Sequence, residues 1–302
     1  MLLDLKFDGS VEPFVNYLKN FSKIRTSLLL EVDPRERLFV AKTFTEDRSS
    51  VRYSAISFDD CHVSVVSNTG EETLGNNRIH IGILCYLPKF ISMVERIGDS
   101  QDTKAQKEGD ANDGFHLKIE YDTLMTKEGL TDFVGTEVII ESSKLRMNMK
   151  GFRVTEFKYL SDDRFKNLIF KVDDPIEFEM PGDLINSIVK TSDITKIDPQ
   201  KDALEFYVDG KTVKVRSTLS GDDKNAPSGF DLIIAELPEE PSYPISATIF
   251  REKFVIMMNK CEDDYKVTIG LHKSVTEKPT VDRILFDSRT TNTKVVLSIV
   301  NE

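Results

Sequence analysis

Short runs rich in β-branched and large apolar residues recur along almost the whole chain, and they limit the folds that it can adopt. Runs such as residues 27–32 (SLLLEV), 51–58 (VRYSAISF) and 212–219 (TVKVRSTL) have strand length and are bounded by turn residues. A parallel α/β protein would alternate helices and strands far more evenly. The pattern therefore predicts an α+β fold with many strands and four short helices. The helical spacing occurs at residues 11–24, 87–97, 181–192 and 251–261.

Several other stretches are predicted from composition alone. Residues 98–114 (GDSQDTKAQKEGDANDG) contain no large apolar residue, so we expect a mobile loop there. Residues 125–135 and 220–229 are also predicted to be loops. Residues 152–160 (FRVTEFKYL) are predicted to form a strand.

Two of the helical segments have nearly the same pattern, which indicates an internal duplication. Residues 89–99 (KFISMVERIGD) and 253–263 (KFVIMMNKCED) align without gaps and share K-F-x-x-M-x-x-(R/K)-x-x-D. The other two helices match more weakly, at residues 14–18 and 184–188. Short amphipathic helices can resemble one another by chance, but two pairs in the same order favour a duplicated domain. Each domain would contain two strand–helix–strands units.

The helices are more basic than the rest of the chain. The segments 11–25, 88–97, 182–196 and 251–262 hold ten basic and six acidic residues, a net +4, whereas the whole chain carries −11. One explanation is that lysine and arginine are ordinary solvated helix residues. The alternative is a surface that contacts DNA phosphates without reading bases, so that binding is sequence-independent and salt-dependent. The residues predicted for that contact are Lys19, Lys23, Arg25, Lys89, Arg96, Lys190, Arg251, Lys253 and Lys260.

Composition and motifs argue against several classes of protein. No stretch reaches the roughly 20 apolar residues of a membrane span, and the acidic start of the chain is unlike a signal peptide. The three cysteines are far apart, so we expect reduced thiols and a cytoplasmic protein. No HExxH, GxSxG, glycine-rich phosphate loop or Cys/His metal spacing occurs. The sequence predicts no catalytic residue, no cofactor and no metal, and thus not an enzyme.

The strand-rich pattern, the repeated helix and residues 176–194 (IEFEMPGDLINSIVKTSDI) resemble DNA sliding clamps of the proliferating-cell-nuclear-antigen type, whose two-domain plan the T-even phage clamps share. The resemblance covers essentially the whole chain. It implies clamp domains at residues 1–160 and 176–302, each of two β-α-β-β-β units, with a connector at 161–175. It also implies a homotrimeric ring, with antiparallel sheets outside and four helices of each copy lining the hole. Such a ring would encircle double-stranded DNA and serve a DNA polymerase and a clamp loader.

The resemblance further implies a hydrophobic pocket that captures short peptide motifs from partner enzymes, bordered by the connector and the C-terminal strand. Residues 168–170 could equally form an ordinary buried strand. The residues implied for the pocket are Phe165, Leu168, Ile169, Phe170, Tyr243, Pro244, Leu297 and Val300.

Two other functions stay open at this point. A non-catalytic all-β structural or assembly protein, such as a virion or scaffold component, would share the strand content and the acidity. A hydrolase with a site built from non-adjacent carboxylates is the third possibility. For the ring, we expect an edge strand within residues 136–160 of one copy to meet one within 204–219 of the next, because head-to-tail contacts close rings.

Overall fold

The chain divides into two compact units. The computed structural model describes residues 1–108, 114–125, 131–143, 145–155, 157, 173–196, 198, 201–219, 229–258, 263–273, 279–288 and 290–299. Unit 1 consists of Met1–Thr43 and Ser54–Ser161, and unit 2 consists of Phe44–Tyr53 and Asp162–Glu302.

Most of unit 1 is one sheet with two helices that carry its core. Its sheet order is β4-β3-β2-β6-β8-β7-β1-β5, and β9 pairs with β8. The β6–β8 pair is parallel and short, whereas β1–β5, β1–β7, β2–β3, β2–β6, β7–β8 and β8–β9 are antiparallel. The elements are β1 (Leu2–Phe7), α1 (Glu12–Ser22), β2 (Leu28–Asp33), β3 (Leu38–Phe44), β4 (Ser50–Ser57), β5 (Val63–Asn68), α2 (Glu71–Leu74), β6 (Ile79–Ile83), α3 (Leu87–Glu108), β7 (Phe115–Met125), β8 (Thr131–Glu141) and β9 (Arg146–Lys150).

The described residues of unit 2 form two antiparallel sheets and two helices. The strand orders are β10-β15-β16-β17 and β13-β12-β11-β14. The elements are β10 (Asp173–Met180), α4 (Gly182–Ile194), β11 (Asp202–Asp209), β12 (Thr212–Leu219), β13 (Asp231–Glu236), β14 (Ser246–Phe250), α5 (Arg251–Met257), β15 (Tyr265–Lys273), β16 (Pro279–Ser288) and β17 (Thr293–Ser298).

The order of one strand, one helix and three strands occurs four times. It runs through β1 to β4, β6 to β9, β10 to β13 and β14 to β17, with β5 and α2 as additions after the first set. The predicted α+β fold of four β-α-β-β-β units in two duplicated domains is therefore confirmed. The divided β4, whose first residues belong to unit 2, is a detail that the sequence does not indicate.

The predicted apolar faces of the helices form the cores. In unit 1, Phe14 and Phe90 are buried and belong to one cluster with residues of the sheet. The ring of Phe14 lies 4.6 Å from that of Phe39 in β3. In unit 2, the ring of Phe254 lies 6.0 Å from both Phe206 and Phe286. Burial of these large aromatic side chains contributes strongly to the stability of such cores.

Several local predictions were wrong. Residues 98–108 are not a loop, because α3 continues to Glu108; the stretch is rich in good helix formers but has no apolar face for a periodicity test to detect. Residues 131–135 belong to β8 rather than to a loop. Residues 152–155 do not form a strand: Val154 and Thr155 make a short 3₁₀ turn. The predicted loops at 109–113, 126–130 and 220–228 lie outside the described residues, and β5 and α2 were missed.

Candidate nucleic-acid interface

The first helix presents its lysines on the side opposite the core. Helix α1 starts where Ser10 Oγ accepts a hydrogen bond from Glu12 N at 3.1 Å, with a proline in the first turn. Lys23 is exposed just after its end. Lys19 is half-exposed, and its Nζ lies 2.5 Å from Glu95 Oε1 of α3. The exposed side of α1 is therefore basic, with one lysine partly neutralised.

The third helix packs beside the first and carries two exposed cations. A Cβ atom on Gly98 would lie 2.4 Å from Val11 Cγ2, so the two helices approach closely near this glycine. Lys89 and Arg96 are exposed, and none of the ion pairs in the described part of the chain involves them. The first turns of α3 therefore present two exposed cations that no described ion pair neutralises.

The helices of unit 2 differ from this pattern. Lys190 of α4 is exposed. Arg251 is only 7% exposed. Its Nε donates to Ser192 O at 3.0 Å, and its Nη2 pairs with Asp193 at the end of α4. A guanidinium in this position holds the ends of two helices together, so Arg251 has little surface to offer DNA.

Lys253 is also engaged, although its sequence environment matches that of Lys89. Its Nζ donates to Asp47 Oδ2 at 2.5 Å and to Ser49 Oγ at 2.8 Å. Burial alone would raise the pKa of Asp47, but hydrogen bonds from Lys253, Thr45 and Ser49 outweigh it and hold that pKa well below its usual range. Asp47 is therefore ionised at neutral pH. Lys260 lies outside the described residues, and Arg25 is half-buried with a further interaction.

The described part of the predicted peptide pocket is small. Tyr243 is half-buried and Pro244 is exposed in the irregular segment before β14. Leu297 is 1% exposed and pairs with Ile284 between β16 and β17, so it has no surface to offer a peptide. The other implied residues, Phe165, Leu168, Ile169, Phe170 and Val300, lie outside the described residues.

The expected edge strands need correction. The segment 204–219 forms most of β11 and β12, and each of these strands is hydrogen-bonded on both sides. The edges of that sheet are instead β13 and β14, which sequence reasoning missed because an edge and an interior strand share the same alternating pattern. Within 136–160, β9 is an edge, because it pairs only with β8 among the described strands.

The described residues contain neither a helix able to cross a membrane nor a metal-binding cluster. No helix among them is long and apolar enough to span a bilayer. No group of three or more His, Cys, Asp or Glu side chains in the same part of the chain is arranged to hold a metal ion.

The fold matches solved sliding clamps over the whole chain. No protein-family model and no curated protein sequence matches it. One similar structure is the PCNA of A. fulgidus, solved with the C-terminal region of FEN-1 bound: it is 10% identical, with a TM-score of 0.53, and the match covers 100% of this chain and 99% of that one. The PCNA2–PCNA3 complex from Sulfolobus tokodaii is also 10% identical, with a TM-score of 0.53, and the match covers 100% of both chains.

The beta subunit from DNA polymerase of Streptococcus pyogenes is also similar, at 11% identity and a TM-score of 0.56. The match covers 100% of this chain but 65% of that subunit, so the chain spans about two thirds of its length. Identities near 10% establish the fold and nothing finer. The chain has the sliding-clamp fold, and its length corresponds to that of the PCNA chains.

Proposed function

We propose that this protein is a sliding clamp, in which three copies close into a ring around duplex DNA and tether a DNA polymerase and other DNA enzymes. The observation that carries the proposal is the fourfold β-α-β-β-β order on the sliding-clamp fold. The chain itself performs no reaction in this scheme, and its partners supply catalysis. The four β-α-β-β-β units in two domains support three copies, because the resemblance pairs two-domain chains with trimeric rings.

The DNA contact is proposed for the exposed cations of the helices. Lys23, Lys89, Arg96 and Lys190 are exposed, and Lys19 remains half-exposed although it pairs with Glu95 of α3. Scattered cations of this kind attract phosphates without fixing a base sequence or a position along the duplex. Weak, sequence-independent contact is what allows a ring to slide.

The ring contact is proposed between β9 of one copy and β13 of the next. β9 (RMNMK) has Arg146 and Lys150 exposed on one face, and β13 (DLIIAE) has Asp231 and Glu236 exposed. In either orientation the basic ends of β9 meet the acidic ends of β13, and the two open edges complete each other's hydrogen bonds. Arg146 and Lys150 also pair with Glu141 and Glu137 within the chain. Because the two edges differ, the contact is head-to-tail and can close a ring.

The partner site is proposed to include the exposed surface around Tyr243 and Pro244. A half-buried aromatic ring beside an exposed proline offers an apolar surface to a short hydrophobic motif. In the A. fulgidus structure a PCNA holds the C-terminal region of FEN-1.

Two measurements on the full chain test the proposal. Native mass spectrometry should give three chains of 34.3 kDa each. A labelled short duplex, titrated over a salt series, should bind without sequence preference. In the variant Lys89→Gln/Arg96→Gln, the slope of log K against log salt should become flatter by about 0.9 for each phosphate that the protein no longer neutralises.

The matched control is Arg35→Gln/Lys201→Gln, which removes one arginine and one lysine from exposed turns outside the helices. It should leave the slope nearly unchanged. A chain that stays monomeric and binds no duplex at low salt would refute the clamp proposal. An open polymer without DNA binding would favour the structural or assembly protein instead.

A further inference from the structure

The two copies of the repeated helix place their first lysine in different surroundings. Lys89 opens the motif in unit 1 and is exposed, with no ion pair among the described residues. Lys253 opens the same motif in unit 2 and is half-buried. Its Nζ contacts Asp47 and Ser49 and lies 5.1 Å from the centre of the Phe250 ring. An ammonium group has three N–H donors, and two of these are used.

Asp47 is held in place by the turn that carries it. Thr45 Oγ1 donates to Asp47 Oδ1 at 2.6 Å, and Ser49 N donates to the same atom at 3.1 Å. Ser49 Oγ lies 2.8 Å and 2.9 Å from the two carboxylate oxygens. The carboxylate is thus oriented by its own turn and does not depend on Lys253 for its position. Its low pKa keeps it charged over the whole neutral range.

A fixed carboxylate beside a lysine weakens the attraction between that lysine and a DNA phosphate. A phosphate that approaches Lys253 meets a site whose net charge is already close to zero, because the charges of Lys253 and Asp47 offset each other. The nearby carboxylate also repels the phosphate. An equivalent lysine without such a partner releases a counterion from the duplex when it binds, and that release drives the association.

We propose that Asp47 is an internal counter-ion that withholds Lys253 from DNA, so that the repeated helix of unit 1 contacts the duplex more strongly than its counterpart in unit 2. This inference rests on the proposed function. The inference assigns a role to the Thr45–Ser49 turn. The turn weakens one phosphate contact and thereby lowers the affinity for DNA.

The test compares the salt dependence of duplex binding among full-length variants. Asp47→Asn keeps the turn, since the amide oxygen can still accept from Thr45 and Ser49, but it removes the charge. We expect tighter binding and a slope of log K against log salt that is steeper by about 0.9. The matched control, Asp59→Asn, removes an exposed carboxylate that pairs with Arg37 at 2.7 Å in unit 1 and should leave the slope nearly unchanged. Adding Lys253→Gln to Asp47→Asn should abolish the gain.

A second comparison leaves Asp47 untouched, so it does not depend on how that variant folds. Lys89→Gln should flatten the slope by about 0.9, whereas Lys253→Gln in the otherwise natural chain should change it by much less. Equal flattening by both substitutions would overturn the inference, as would equal behaviour of Asp47→Asn and Asp59→Asn. In either case the clamp proposal would stand, because the natural chain would still bind DNA. Absence of duplex binding by every form would refute the clamp proposal and this inference together.

Discussion

At the scale of single residues, the most consequential polar group is the ion pair between Glu31 and Lys42 in unit 1. The two side chains are 2% and 0% exposed, and Lys42 Nζ lies 2.7 Å from Glu31 Oε1. Arg78 Nη1 adds a second contact to Glu31 at 3.1 Å. In the sequence both residues look like the solvent-facing positions of ordinary strands. Only the neighbouring segments that cover this face of the sheet turn them into a buried pair.

Breaking this pair should be costly. In Glu31→Ala, Lys42 is left without the carboxylate that compensates its buried charge, so we expect the free energy of unfolding to fall by about 3 kcal/mol. Urea denaturation measures the change. The matched control is Asp209→Ala, which breaks a pair with Lys214 at the same distance of 2.7 Å, but Asp209 is 66% exposed. That change should cost much less, because solvent screens an exposed pair, and equal destabilisation of the two variants would contradict the prediction.

The lysines of the repeated helix differ for a related reason. Lys89 and Lys253 occupy the same position of the same motif, and sequence reasoning assigned them one role. The structure separates them, because Asp47 lies far from Lys253 in the sequence and within 2.5 Å of it in space. A sequence motif predicts the helix that carries a side chain, but it does not predict which residues of other segments contact that side chain.

At the scale of elements, the amphipathic helices were predictable and their lengths were not. The apolar spacing identified α1, α3, α4 and α5, because burial of one helix side imposes a 3.6-residue period. That signal ends after Ile97, since residues 98–108 contain no large apolar residue, so the continuation of α3 to Glu108 was missed. The predicted strand is absent over residues 152–155, where Val154 and Thr155 make a 3₁₀ turn. Arg153 N donates to Gly82 O at 3.1 Å, which places this turn beside β6.

The contact with Gly82 gives a prediction about β6. A Cβ atom at this position would lie 2.5 Å from Arg153 O and 2.7 Å from Arg153 C. These are backbone atoms, so no side-chain rotation relieves the clash, and Gly82→Ala should destabilise the protein by about 1–3 kcal/mol. Differential scanning calorimetry would show a lower melting temperature.

Gly135→Ala in β8 is the comparison for that experiment. Its added methyl group would meet Ile81 Cγ1 at 3.0 Å, and this is a side-chain atom that can move. A smaller destabilisation is therefore expected. A Gly82→Ala protein that melts at or above the natural chain would show that the segment around Arg153 is not held against β6.

At the scale of the whole molecule, the open edges decide how copies can associate. β13 ends the four-stranded sheet, and Ile233 in its middle is 63% exposed. An exposed edge with a large apolar side chain promotes pairing with another strand unless it is covered. β9 offers an edge with the opposite charge. β10 is also an edge, but its Pro175 cannot donate a ladder hydrogen bond.

Replacing Ile233 should separate self-association from folding. Ile233→Glu places a carboxylate opposite Lys214 within the chain, which the sheet tolerates. In the proposed ring it puts a charge into the contact, so we expect folded monomers by native mass spectrometry and an unchanged circular dichroism spectrum. Val66→Glu is the matched control, since Val66 is 52% exposed on the edge strand β5. If that variant also dissociates, or if Ile233→Glu keeps the oligomer, β13 is not the contact.

The sequence by itself determined the α+β class, the duplicated units and the four helices with their apolar sides. These features follow from the local periodicity of apolar residues, because buried positions select apolar residue types. Tertiary structure alone decided which strands are edges, which of the predicted cations are exposed and which are engaged, and where buried charges meet. Arg251 at the junction of two helices, Lys253 beside Asp47 and Lys42 beside Glu31 are examples. The partners of Arg251 and Lys253 are set by the packing of segments distant in sequence, which the type of a residue does not indicate. Glu31 and Lys42 lie on paired strands, and their burial depends on what covers that face of the sheet.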